Sequence, residues 1–576
     1  MIDSTLPEGF RRMPGHLPEG VIPTNAEAIR IAVEVLNWSG MRPVLDRLQH
    51  ARPGLTATVP MATVLQLGIA FKVQDPKRDF LLSDLTRWAA TLNRAQRRRI
   101  GLSSRFTYNR LQVPWRQLCA ALDPEESIFR LDDSGALLTP RLGWLPSLDV
   151  FANALVGASC RLPGWRTILP PTPVQAMDST DVETSAKSRA WTATPDGPDP
   201  VAPNDAAPSS EWTHDAAVWP KTGADGRAVV SADLEARIGW RTKTMERGAN
   251  AFNGRDGHLL VDAGEAGSRF WVPLIRGVLL RAAGSYKATA GIALLDSLLG
   301  GISFNTLVVD RGYSYAVPEA WAQQIRSRGL RIVHDLHTAQ RRPHPADTLL
   351  GAFWLDGSLF PASLPQRMRK LPGFKARTSA EKRDKLHAAY DERAAWAFVP
   401  NRRYPDGSVQ LKGPARALHV RCVNYPPSTR LGSNIPRTAC EPGAPCVCAK
   451  TVVIPPTEAE WERQTFVYGT TKWAAHYGLR NLVESQNAQL KYWRGSMRRN
   501  STAMFGTTAN TLVFALNSIA VNISMLRDAY GDIDPTSTTS TSHTAPRRRR
   551  APAVVARHLR SKPRRQRSTT RTDTPA

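Results

Sequence analysis

The chain reads as an α/β protein with a mixed central sheet, preceded by an all-α N-terminal region and interrupted by a β-rich insertion. Three observations predict this. Apolar residues recur at helical spacing from residue 24 to about 125. From Val174 the pattern changes to three strands followed by helix, strand, helix and strand, the order of an α/β sheet. Residues 337–465 then break that alternation with short strand-like pieces and turn clusters, after which helices return.

A chain of 576 residues is too long for one ordinary core. The composition divides it into a helical region 1–150 and a core segment 165–336 carrying a polar insertion at about 192–232. An inserted subdomain 337–465, a second core segment 466–530 and a basic tail 531–576 follow. In the first region Ala26–Leu36, Pro60–Val73 and Leu81–Leu92 carry helical spacing. Arginines then gather at Arg94, Arg97, Arg98, Arg99, Arg105 and Arg110, and a further helical run holds Phe106, Leu111, Trp115 and Leu118. Two short helices around Gly101, one rich in arginine, suit a helix-turn-helix docking on DNA. A helical bundle with a solvated basic face is the alternative.

The core begins with a short strand, Val174–Met177, ending at Asp178-Ser179-Thr180. The Pro-, Asp- and Ala-rich stretch Thr192–Ala232 reads as an exposed loop. Strands are expected at Ala236–Thr244, His258–Val261 and Phe270–Leu280, then a helix Tyr286–Leu299 and a strand Thr306–Val309 ending at Asp310. Pro318–Ser327 is a helix closed by Gly329, and Leu330–Val333 is another strand. The insert offers strand pieces at Ser408–Leu411 and Leu418–Cys422 and a charged helix over Ser379–Trp396. Helices resume at Thr471–Tyr492 and Thr507–Leu526, the latter expected as a core helix behind the sheet.

Charge narrows the function. With 76 Lys+Arg against 50 Asp+Glu the net charge is +26, and such a chain gathers near polyanions by releasing their counterions. Residues from Pro546 onward supply 11 Lys+Arg and one Asp, a composition expected to be disordered and able to clamp phosphates without reading sequence. No signal peptide is visible, and no stretch approaches the roughly 18–20 apolar residues needed to span a bilayer. The expected location is cytoplasmic, at the nucleoid, with no membrane partner. Six cysteines do not suggest a disulfide scaffold. Cys422, Cys440, Cys446 and Cys448 give C-x17-C-x5-C-x-C, unlike the C-x2-4-C knuckles of zinc sites. Free thiols in a loop-rich insert are the favoured reading there, and a structural zinc the lesser one.

Chemistry concentrates near residue 480. At about 100° per residue, Tyr477, Arg480, Glu484 and Lys491 fall within roughly 60° of one another on a helix. That face presents a phenol, a guanidinium, a carboxylate and an ammonium; an ordinary surface face with an Arg-Glu pair is the bland alternative. Two further carboxylates, Asp178 and Asp310, end predicted strands. Carboxylates on separate elements are what a pair of divalent ions needs to cleave a phosphodiester. Asp181 and Glu183 lie close to Asp178, but Asp181 would face the other side of an extended strand. Asp262 and Asp335 are further candidates, expected instead as solvated strand ends. His258 is expected as a structural or DNA-proximal residue, and His334 and His337 in a satisfied polar rim rather than a metal cluster.

With these motifs in order, the chain resembles the Asp-Asp-Glu (DDE) transposases of bacterial insertion sequences, in the branch marked by Tyr-x2-Arg-x3-Glu-x6-Lys. Residues 477–491 carry all four positions, and the Asp-Ser-Thr at 178–180 and Asp-Arg-Gly-Tyr at 310–313 resemble the family's first and second acidic motifs. The resemblance covers 174–335 and 470–527. It implies an RNase H-like catalytic core in which Asp178, Asp310 and Glu484 hold two Mg²⁺ or Mn²⁺ ions. Tyr477, Arg480 and Lys491 would grip DNA. Arg97, Arg98, Arg99 and Arg105 are DNA-contacting candidates from the helix-turn-helix reading of the N-terminal region, outside the resemblance. The implied activity is transposition: DNA recombination through cleavage at terminal inverted repeats and strand transfer to target DNA, by a homodimer or higher oligomer. A catalytically inactive or repurposed DNA-binding protein and an RNase H-like nuclease are the alternatives.

Overall fold

The computed structural model describes residues 23–51, 59–103, 106–124, 142–161, 169–186, 221–222, 228–229, 232–233, 235–241, 250–264, 272–298, 303–374 and 378–530. Most of the stretch 192–232 and all of the tail 531–576 therefore lie outside the described residues.

The first helix, Asn25–Trp38 (α1), starts where the Thr24 hydroxyl accepts from Glu27 N–H and Glu27 accepts from Thr24 N–H at 2.8 Å, a reciprocal cap. Met41–His50 (α2), which the spacing had not marked, precedes Met61–Gln74 (α3), Leu82–Thr91 (α4), Arg94–Arg99 (α5), Tyr108–Leu122 (α6) and Leu148–Ala158 (α7). α3 is apolar all round and buried along nearly its whole length, which makes it the centre of the helical region.

The sheet contains β1 (Val174–Glu183), β4 (Arg237–Arg241), β5 (Asn250–Gly264), β6 (Ile275–Ala282), β7 (Thr306–Val309) and β8 (Arg331–Val333); Lys221–Thr222 (β2) and Ala228–Val229 (β3) form a separate two-residue ladder. Its path is β4-β5-β1-β7-β8, with β6 also on β5. β5 runs antiparallel to β1, β4 and β6, whereas β1, β7 and β8 run parallel. The sheet is mixed, as expected. β1 is longer than the predicted Val174–Met177: its polar second half stays extended because β5 pairs with it as far as Glu183.

Alternation gives the sheet two buried faces. One carries Met177, Leu260, Leu279, Leu307 and Val309 against Lys287–Asp296 (α8) and Ala322–Ser327 (α10), with Tyr313 of the short Arg311–Ser314 helix (α9). The other carries Ala176, Leu259, Val278 and Val308 and shares one core with the N-terminal helices and Thr507–Tyr530 (α16). Each large side chain in these layers contributes about 1.5–3 kcal/mol by leaving water.

α16 is the core helix expected behind the sheet. The expectation that no segment is apolar enough to cross a bilayer fails here: Thr507–Ala529 passes by length and hydropathy, yet 89% of its apolar window is buried inside the protein. Its asparagines explain the burial. Asn522 Oδ1 accepts from Ile275 N–H at 2.8 Å and its amide donates to Ile275 O at 2.8 Å, so a side chain substitutes for a neighbouring strand along β6. Asn153 of α7 accepts from Val278 N–H at 2.7 Å in the same way.

The insert holds two small sheets. His344–Pro345 (β9), Ala352–Leu355 (β10) and Ser358–Pro361 (β11) form one; after Gln366–Arg369 (α11) and Ala380–Ala394 (α12), Val399–Arg403 (β12), Val409–Lys412 (β13) and Thr451–Ile454 (β14) form the other, with Pro426–Thr429 (α13) between its last two strands. Leu418–Cys422 is not the strand expected. Leu418 takes a positive φ of 63°, and only an isolated bridge between Arg421 and Arg437 forms there. The helix expected over Thr471–Tyr492 is also segmented: Thr471–Tyr477 (α14), a 3₁₀ turn Gly478–Arg480, Asn481–Ala488 (α15) and a π turn Gln489–Trp493.

Candidate active site

β1 and β7 run parallel in register until Met177 faces Val309, where β7 stops. The next residues are Asp178 and Asp310, side by side where the two strands part. By alternation both lie on the face of Ala176 and Val308, the one that α15 covers through Val483. Asp178 thus marks the end of its parallel neighbour and not, as predicted, the end of its own strand. Each carboxylate is steadied by the N–H that follows it: Ser179 N–H donates to Asp178 Oδ1 at 2.8 Å, and Arg311 N–H to Asp310 Oδ1 at 2.7 Å.

The glutamate arrives from α15. Arg480, at its entrance, reaches Glu484 Oε1 with Nη2 at 2.8 Å and Asp310 Oδ1 with Nη1 at 3.9 Å. Its guanidinium lies 5.8 Å over the Tyr477 ring, and Tyr477 stacks on Trp473 at 4.9 Å. The structure therefore gathers Asp178, Asp310, Glu484, Arg480 and Tyr477 into one neighbourhood. Glu484 and Asp310 stay open to solvent, with side chains 47% and 37% exposed.

Burial pushes the Asp178 carboxyl up to about 6; the charge of Lys287 opposes that rise, Asp310 adds to it and Arg480 opposes it. Sequence reasoning missed Lys287, the first residue of α8. Its stem and ammonium occupy the space above Gly312, where a Cβ would stand 3.1 Å from Cδ and 3.3 Å from Nζ. The glycine two residues after Asp310 was the available signal: it admits a cation beside the paired aspartates.

Behind the carboxylates, on the opposite face, His258 pairs with Ser179 across β1 and β5, and its Nδ1 lies 2.8 Å from Tyr313 Oη. Burial, with Lys287 and Arg281 nearby, drives His258 down to about 3, so it is neutral and structural, as expected. Lys491 does not join the Arg480 cluster. The π turn carries it inward, 8% exposed, where Nζ donates to Asp181 Oδ1 at 2.8 Å. The same carboxylate takes Arg241. Asp181 is thus occupied by two cations, and Asp178 alone of that pair stands beside Asp310.

The other candidates settle plainly. Asp262 is buried rather than solvated, bonded to Arg276 Nε at 2.7 Å and Gln175 at 2.6 Å. Asp335 takes Arg311 at 3.2 Å and the Tyr468 hydroxyl at 3.0 Å. His334 is buried and held near 3 by burial and Arg326, while His337 caps its own 3₁₀ turn. Arg98 and Arg99 are exposed on α5 and Arg97 is half-buried, whereas Arg105 lies outside the described residues. In the insert, the four cysteine sulfurs lie within 4.8 Å of one another, the one group of three or more metal-type ligands so tightly gathered among the described residues. Their sequence spacing, unlike that of zinc knuckles, favoured free thiols, whereas the four sulfurs form a group that could hold a metal ion.

Compared with known protein families, with curated proteins and with solved structures, the chain matches none.

Proposed function

We propose that this protein is a metal-dependent DNA transposase of the Asp-Asp-Glu type, built on an RNase H-like core. The observation that carries the reading is the meeting of Asp178 and Asp310 at the parting of two parallel strands, with Glu484 brought to them across Arg480. The sheet supports it: an antiparallel β6-β5-β1 half followed by parallel β7 and β8 is the strand order of RNase H-like domains. The insert between β8 and the glutamate helix and the net charge of +26 agree with that reading.

The donor set is all oxygen, which suits Mg²⁺ or Mn²⁺ over softer ions. Asp178, raised chiefly by burial and further by the neighbouring Asp310, stands where a divalent cation would relieve the charge of two adjacent carboxylates. Asp178, Asp310 and Glu484 would hold two such ions, which when bound would activate water or a 3′-hydroxyl and relieve charge on the phosphate. The chain's own groups do the rest. Arg480 orients Glu484 and presents its guanidinium to a DNA phosphate. Lys287 holds the paired aspartates against mutual repulsion, and Lys491 ties the π turn to β1 three residues from Asp178. Tyr477, stacked on Trp473, fixes the direction of Arg480. The exposed arginines of α5 give the N-terminal region a phosphate-contacting edge. The substrates are double-stranded terminal inverted repeats and target DNA, and synapsis of two ends calls for a homodimer or higher assembly.

The test is strand transfer. A labelled duplex ending in the repeats that flank the gene is incubated with supercoiled target, Mg²⁺ and the full chain. Joined product is expected; hydrolysis without joining would make the protein a nuclease, and neither reaction would leave it a DNA-binding protein.

A further inference from the structure

The second small sheet of the insert pairs β13 directly with β14, Lys412 opposite Thr451, yet their connection runs through residues 413–450. Among those residues the only helix is the four-residue α13, and no strand forms. Loops this long without secondary structure are uncommon unless something staples them. Backbone pairing closes part of the loop: Arg421 N–H donates to Pro436 O at 2.7 Å and Thr438 N–H to Arg421 O at 2.8 Å, bringing Cys440 towards Cys422. Asn424 closes another part, donating to Glu441 O at 2.9 Å and Ala444 O at 3.0 Å and accepting from Gly443 N–H at 2.9 Å. That turn delivers Cys446 and Cys448, and Cys448 O accepts from Ala415 N–H at 2.9 Å at the base of the loop.

The result is four sulfurs facing one another. Cys422 and Cys446 are 3.7 Å apart, as are Cys440 and Cys448, and no pair exceeds 4.8 Å. A disulfide requires about 2.05 Å, so these are not bonded pairs. A tetrahedron of sulfurs about 2.3 Å from a central zinc has edges of about 3.8 Å, close to the two opposed edges observed. We propose that Cys422, Cys440, Cys446 and Cys448 bind a single structural zinc ion that pins the 413–450 loop of the insert.

Packing alone does not account for the cluster. Cys422 and Cys448 are buried, but Cys440 and Cys446 are half-buried, and a thiol serving only as a small hydrophobe has no reason to turn towards three others. Polar donors surround the sulfurs as they do metal-bound thiolates: Ser363 Oγ lies 3.2 Å from Cys448 Sγ, and Asn424 Nδ2 3.7 Å from Cys446 Sγ. Four protein ligands leave no open coordination position, which marks a structural site.

The full chain, purified without chelator, is expected to carry one zinc by mass spectrometric metal analysis. The double variant Cys440→Ser/Cys446→Ser should fall to a tenth of that or less, and Cys119→Ser should keep it. Because the double variant can misfold, wild type reconstituted with Co²⁺ gives an independent reading: thiolate-to-cobalt charge-transfer and tetrahedral d–d absorption are expected. Zinc retained by the double variant, iron in its place, no tetrahedral cobalt spectrum, or mapped Cys422–Cys446 and Cys440–Cys448 disulfides would each overturn the assignment. None of these outcomes depends on activity towards DNA.

Discussion

In the proposed reading the carboxylates of the sheet and the thiols of the insert would both hold cations, and the chain builds the two clusters in opposite ways. Asp178, Asp310 and Glu484 sit on β1, at the end of β7 and on α15, elements fixed by two apolar layers whether or not an ion is bound. Arg480 stands between Asp310 and Glu484, whose side chains are partly open to solvent. The four thiols sit on a loop with almost no regular structure and converge on one another. A frame that positions ligands for itself can leave room for a substrate. Ligands on a loop need the ion to define their geometry, and the site closes. Difference in ligand softness follows the same division, oxygen for exchange with solvent and sulfur for retention.

Chelation should separate the two most sharply. Brief EDTA is expected to abolish DNA cleavage, by about a thousandfold or more, and Mg²⁺ alone should restore it. Zinc should remain bound through that cycle, as metal analysis before and after will show. Restoration that requires zinc would place the insert's ion in the chemistry and break the comparison.

Proton competition gives a smaller effect. Asp178 is raised to about 6, chiefly by burial, so its proton must leave before a cation binds. Apparent Mn²⁺ affinity by calorimetry should weaken by up to about tenfold per pH unit below 6 and level off above it. The sign for folding is the reverse. The folded state favours the protonated acid, so metal-free stability should fall as pH rises from the ordinary carboxyl range through about 6, and Mn²⁺ should cancel that fall. A Mn²⁺ affinity flat from pH 5 to 7 would show that Asp178 is not a ligand.

Smallest is the support behind the site. Tyr313→Phe removes the hydroxyl partner of His258 and should cost about 1–2 kcal/mol, read as a lowered denaturant midpoint with zinc content unchanged. An unchanged midpoint would mean that the His258–Tyr313 contact does not tie the short helix after Asp310 to β5.

The short apolar strands of the sheet were legible: β7 occupies the predicted residues Thr306–Val309. Asp310 was legible for the same reason, since a carboxylate directly after an apolar strand signals a strand end, whereas Asp178 follows an apolar run inside a longer strand. What escaped depends on partners distant in sequence. The polar half of β1 is a strand only because β5 runs beside it. Lys287 matters only because Gly312 makes room for it, and Lys491 leaves the predicted helix face because a π turn inserts before Trp493. The thiols converge through backbone pairing at Arg421 and Arg437, a contact no cysteine spacing encodes.

The most direct measurement compares wild type with Glu484→Gln in Mg²⁺-dependent cleavage of a labelled duplex carrying the flanking repeat. Glu484 is half exposed, so the amide should leave melting temperature and zinc content unchanged. Cleavage by the variant is expected to fall by about a thousandfold or more. Equal cleavage by the two proteins would contradict the assignment of Glu484, and with it the three-carboxylate site.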